Sequence, residues 1–229
     1  MRQTSVLYKK LFANHEHIRE SMVKVAGVEH GQDSIFSCSV SGDLIPEAAL
    51  GKCISREIDL TVEPMSSIPK MSSIETFFRL RVGGESSEWI PSGVYYIDTR
   101  DYDEGSGLLT LHGFDAMLKA EEIWWNPSND AGDWPMPQAE AAKDIARCMG
   151  VELDPRSRIN TALMVEYPND LTMREVLGYI AISNAGNWSM SGDGKLLLTP
   201  LGGLPPETYL LVDDADGGAI LMGDVRIIV

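Results

Sequence analysis

The chain has 229 residues, 44% hydrophobic and 23% charged, the balance of a folded protein rather than a disordered tail. Its 19 basic against 34 acidic residues leave a formal charge of −15, which argues against direct binding to DNA or RNA. No apolar run reaches the roughly 18 residues of a membrane span, and three cysteines, Cys38, Cys53 and Cys148, are too few and too irregularly spaced for a disulfide framework.

From the N-terminus, residues 6–13 carry one or two helical turns, and Ile18, Met22, Val23 and Val25 begin a strand-like pattern. No secretory signal precedes them, so folding in a reducing cytoplasm is expected. The first 60 residues are nearly neutral, with 7 basic and 8 acidic side chains, so self-contact meets least repulsion there. Residues 34–40 and 53–62 alternate apolar and polar side chains and read as half-buried strands.

The strongest β pattern spans 76–112, where strands at 77–82, 88–98 and 108–112 are separated by Gly83-Gly84 and by a Gly-Ser-Gly turn. Trp89, Tyr95 and Tyr96 lie in the middle strand, and Pro91 with Gly93 predicts a bulge or corner. Short antiparallel strands with glycine-rich turns imply a barrel or sandwich.

The period then changes. Residues 115–122 read as a helix capped by Asp115, with Met117 and Leu118 on one face, followed by a loop that carries Trp124, Trp125 and Trp134. Pro137 leads into a helix with Ala142, Ile145, Ala146 and Met149 on one face, and Gly150 ends it. Thr172 and Glu175 have capping-box spacing for a helix over 172–184 whose stripe is Met173, Val176, Leu177, Ile180 and Ala181, with Gly186 as its exit. A hairpin follows at 187–190 and 195–201, and short strands are expected at 209–212 and 220–229. The fold class is α+β: a mainly antiparallel β-barrel unit over 1–118, an α+β unit of two helices and a hairpin over 119–201, and a linker with terminal strands over 202–229.

Chemistry is sparse. His15, His17 and His30 come nearest to metal-ligand spacing but lack further ligands, and solvated residues at a strand entry explain them. Asp98, Asp101, Asp103 and Glu104 precede a hairpin tip, where charge keeps an edge soluble, and the spacing of a calcium loop is missing. The turns at 191–194 and 214–218 resemble calcium loops in composition alone. No nucleophile elbow, Walker A run, dinucleotide fingerprint or C-x-x-C occurs, and the cysteines read as core. The tryptophan loop reads as aromatics capping a barrel mouth or sealing a subunit contact, with sugar stacking as the alternative. No catalytic, cofactor or metal residues are assigned, and no enzyme activity is expected.

Residues 53–201 nevertheless resemble the tail-hub, or baseplate-hub, proteins of phages and prophages of Gram-positive bacteria, relatives of the central hub protein of contractile tails. The residues that carry the resemblance are Trp89, Pro91, Gly93, Tyr95 and Ile97 in one strand, then Leu109, Thr110, Gly113, Phe114, Asp115 and Met117 in a hairpin and short helix. Thr172, Arg174, Val176, Leu177, Ile180 and Ala181 in a helix, with Gly186, Asn187 and Trp188 in the next hairpin, complete it. The resemblance implies a homotrimeric ring at the tip of the tail tube, with a tube-like barrel and an inserted α+β domain. Its partners would be copies of itself and the tube, distal-tail, tip or tape-measure proteins. Its place would be the virion tail, assembled in the host cytoplasm, without cofactor, nucleic-acid binding or membrane insertion. Longer members carry a second barrel and sometimes a peptidoglycan hydrolase, and this chain ends about where that barrel would begin. Trp89, Pro91, Gly93, Asp115, Met117, Trp125, Trp134, Thr172, Arg174, Asn187 and Trp188 are carried forward as fold or interface residues. A host-surface or carbohydrate-binding module built on the tryptophan loop is the alternative function. A wall hydrolase would need a nucleophile or zinc set that the sequence does not show.

Overall fold

The computed structural model describes residues 4–42, 49–65, 68–125 and 134–201, together with the backbone pairing of 221–222 and 225–226. Helix α1 (Val6–Phe12) starts at Ser5, whose hydroxyl accepts the Tyr8 amide. The strands β1 (Ile18–Val25), β2 (Val28–His30), β3 (Ile35–Ser41), β4 (Glu57–Val62), β5 (Ser73–Val82), β6 (Glu85–Ser86), β7 (Ile90–Asp103) and β8 (Leu108–Asp115) form one sheet. Every pairing in it is antiparallel, in the order β2-β1-β5-β7-β8-β4-β3, with β6 added to the edge of β5.

That order dictates curvature. Its two ends, β2 and β3, are consecutive in the chain and joined by residues 31–34, a link that spans at most about 17 Å. Laid flat, seven strands would separate those ends by about 29 Å. The sheet therefore curls, wrapping one face around Val23, Val25, Ile58, Leu60, Ile74 and Leu111, each at most 2% exposed. No ladder joins β2 to β3 among the described residues, so the expected barrel is a half-barrel with an open seam. Helix α1 covers part of its rim, with Leu11 buried and Tyr8 edge-on to Phe78.

The predicted bulge is present: Gly93 faces Thr76 and Pro91 faces Phe77, which leaves Ser92 as the extra residue. Gly93 lies beneath the ring of Tyr95, where a Cβ would come within 2.5 Å of ring atoms. A second irregularity, around Asp98, had no mark in the sequence. Strand β3 corrects the half-buried reading. Beyond Ile35 all its residues are exposed, Phe36 by 57% and Val40 by 46%, because no element among the described residues covers that end of the inner face.

The second core is helical. A 3-10 helix (Ala116–Glu121) replaces the expected α-helix, with Asp115 as its cap. Helix α2 (Gln138–Cys148) follows the two-residue β9 (Met136–Pro137), which pairs with β10 (Met164–Val165), and Gly150 adopts the left-handed conformation at its exit. Helix α3 (Met173–Ser183) has the full capping box of Thr172 and Glu175. Its left-handed exit residue is Ala185 rather than Gly186. Gly186 instead opens β11 (Gly186–Met190), where a Cβ would stand 2.8 Å from the Thr199 carbonyl on β12 (Leu196–Pro200). The apolar faces of α2 and α3 meet Met117, Trp188 and Leu196 in one buried cluster.

The cysteines are not core as expected: Cys38 and Cys148 are exposed and only Cys53 is partly buried. The strand expected at 209–212 lies outside the described residues. Within the last expected strand, β13 (Leu221–Met222) pairs with β14 (Val225–Arg226). The rest of 202–229, including the turn at 214–218, also lies outside the described residues.

Candidate functional site

Five of the eleven residues carried forward from the sequence, Asp115, Met117, Arg174, Asn187 and Trp188, meet at one place, the junction of the two cores. Residues 49–56, just before β4, run along the outer side of β11: Trp188 donates its amide to the Lys52 carbonyl (2.8 Å) and accepts the Ile54 amide (2.8 Å). Cys53 thus forms a parallel bridge to Trp188, and Leu153 makes the equivalent bridge to Leu196 on the far side of the hairpin. The Asn187 side chain accepts the Lys52 amide (2.8 Å) and donates to the Ala49 carbonyl (3.0 Å). Trp188 is fully buried, and its indole N–H donates to the Leu177 carbonyl at 2.7 Å.

Two arginine–acid pairs lock this seam. The buried Asp115 carboxylate accepts the amides of Arg56 (2.9 Å) and Met117 (3.1 Å), and Arg56 Nε stands 3.8 Å from it. The other end of the Arg56 guanidinium donates to the Met190 carbonyl. Burial pushes the Asp115 carboxyl above its ordinary value, against those hydrogen bonds. Arg174, on the first turn of α3, donates to the carbonyls of Cys53 (2.6 Å) and Met117 (3.2 Å) and pairs with Glu121 at 2.5 Å. Burial also pushes the Cys53 thiol up to about 12, which leaves it protonated and unreactive.

Trp89 lies apart, on the outer face of the sheet, with the Arg79 guanidinium 4.4 Å from its ring centroid and Arg79 in turn paired with Glu20 at 2.7 Å. Trp124, Trp125 and Trp134 pack edge-on against one another, with centroids 5.2 to 6.1 Å apart, and against the second core. Trp124 is buried and donates its N–H to Asp144 at 3.0 Å. Burial raises Asp144, and the hydrogen bonds from Arg147 and Trp124 outweigh it, holding the carboxyl below its ordinary value. A groove of about 1710 Å³ opens beside Trp124 and Trp125, between Tyr96 of β7 and the Glu140, Asp144 and Arg147 side of α2.

The acidic hairpin tip is a turn device: Asp103 accepts the amides of Gly105 (2.9 Å) and Ser106 (3.3 Å). No group of three or more metal-ligating side chains occurs among the described residues. No described helix is long and apolar enough to cross a membrane. Arg56, Lys52 and Glu121, which complete the junction, were not singled out in the sequence. Their partners lie 53 to 135 residues away, and no local pattern encodes such a meeting.

No family model matches the chain, and no curated protein matches it. Among solved structures, it is similar to the 43 kDa tail protein of prophage MuSo2 from Shewanella oneidensis, with a TM-score of 0.52 and 12% identity over 80% of this chain and 56% of that one. It is also similar to a tail protein from Neisseria meningitidis MC58, with a TM-score of 0.53 and 18% identity over 85% of this chain and 54% of that one. The chain therefore spans little more than half the length of these two proteins, and what it shares with them is the fold.

Proposed function

We propose that the chain is a structural subunit of a phage or prophage tail, a hub part that forms a ring connecting the tail tube to the tip or baseplate. The observation that carries this reading is the fold shared with a prophage tail protein and with a tail protein from Neisseria meningitidis MC58 over at least 80% of the chain. Two further features support it. The polar side chains that converge at the junction, among them Asp115, Arg174 and Asn187, hold separate backbone segments together, which suits a structural part. A net charge of −15 suits a channel wall that lets nucleic acid pass without holding it.

In this reading the half-barrel over 1–118 is the ring-forming part, the α+β unit over 119–201 is carried on it, and the chain has no enzymatic activity. Its partners are copies of itself and the neighbouring tail proteins, and its place is the virion tail. Light scattering on purified protein across a range of concentrations tests it: a stable assembly of three 25.2 kDa chains, or six as one ring, is expected. A strict monomer at high concentration would overturn self-sufficient ring formation.

A further inference from the structure

The half-barrel has two kinds of edge. The β1–β2 side carries the charges Arg19, Glu20, Lys24 and Glu29, and β6 on β5 is two residues long, so both are guarded in the usual ways. Strand β3 is different. It pairs only with β4 among the described residues and carries no charged residue and no proline over its seven positions. Its one guard is the irregularity at Phe36, which leaves Ser37–Ser41 in unbroken register with 57–61 of β4.

Within that regular stretch Cys38 faces Leu60 and Val40 faces Ile58, both fully buried, so Cys38 and Val40 continue the apolar inner row. The row stops there, exposed. We infer that a second copy of this chain occupies this edge, pairing β3 with β3 antiparallel about a two-fold axis through Ser39.

The pattern Ser-Cys-Ser-Val-Ser is self-complementary under that operation. Ser39 meets Ser39, Ser37 meets Ser41, and Cys38 meets Val40, so polar positions match polar positions and the inner apolar row runs on into the second copy. Charge argues for the same occupant. Each copy carries −15, and this strand brings no like charges face to face, within the segment of the chain that is close to neutral. The contact goes beyond the ring reading and does not depend on it, since a two-fold contact joins copies in pairs and does not by itself close a ring.

Directly opposed antiparallel residues have Cα atoms about 4.5 to 5.5 Å apart, within disulfide range. The test is therefore Ser39→Cys in full-length protein with Cys38→Ala, which keeps the inner row apolar, and Cys148→Ser, the shielded Cys53 being left in place. Under mild oxidation the expected product is a covalent dimer, together with a native mass in multiples of two. Adding Val40→Lys, at an exposed position where circular dichroism should show the fold retained, is expected to weaken the dimer by at least about tenfold. A monomer or trimer mass without cross-linking would overturn the contact, and the trimer would leave the ring reading intact. Dimers that do not cross-link through the introduced thiol would overturn it as well, because the copies would then meet elsewhere.

Discussion

At the scale of single residues, charge in this protein is spent on holding backbone segments in place. Arg174 reaches two carbonyls from different parts of the chain, and Asp115 gathers two amides. Asp154 does similar work below the hairpin. It is buried, accepts the Arg156 amide at 2.9 Å, and pairs with that residue's guanidinium at 2.6 Å. The hydrogen bonds from the Arg156 side chain hold its carboxyl below the ordinary range, more than offsetting burial. A carboxylate lowered on folding stabilises the fold above its unfolded value near 3.9 and loses that contribution as pH falls through the folded value. Asp154→Asn should thus cost about 1–2 kcal/mol at neutral pH. In urea melts, the gap to wild type should narrow below about pH 4, whereas a gap that stays constant into acid would mean the pair contributes nothing. Asp115 runs the other way: burial raises it, so its contribution weakens as pH rises through its folded value.

At the scale of elements, what was legible was periodic or short-range. Helix α3 could be read because its capping box and apolar stripe lie within eleven residues, and both halves of the box form, with the Glu175 carboxylate accepting the Thr172 amide at 2.8 Å. The bulge at Ser92 was legible from Pro91 and Gly93. Alternation in β3 reported which side chains share a face but not whether anything covers that face, and there the reading failed. Likewise Gly186 looked like a helix stop, while its real constraint is the neighbouring strand. Gly113 is constrained in the same way on β8: a Cβ there would sit 2.6 Å from the Tyr96 carbonyl of β7. Backbone cannot yield as a side-chain tip can. Gly113→Ala is expected to destabilise the sheet by about 2 kcal/mol or more, seen as a lower urea midpoint, and a change under about 0.5 kcal/mol would show that β7 and β8 can separate freely.

At the scale of the whole molecule, two long-range quantities dominate: the net charge and the curl of the sheet. Copies carrying −15 repel each other beyond their contact surface, and salt shortens that reach from about 30 Å at 0.01 M to about 8 Å at 0.15 M. Self-association should therefore strengthen as sodium chloride rises over that range, measured by sedimentation. Association that weakens instead would point to an interface held by opposite charges. The curl was only half legible. Strand number and turns suggested closure, but closure depends on whether β2 meets β3, and that is decided by twist accumulated over every strand between them.

The seam between the two cores also sets a clock. Lys52 and Asn187 are 135 residues apart, so residues 49–56 leave the ribosome long before the hairpin they pair with exists. At about 5–20 residues per second that interval is roughly 7 to 27 s. The nascent sheet must wait through it with the approach to β4 unpartnered. A fragment spanning 119–201 would likewise be born without the strand that covers Trp188. Each half of this protein thus lacks part of its backbone pairing until the other has been made.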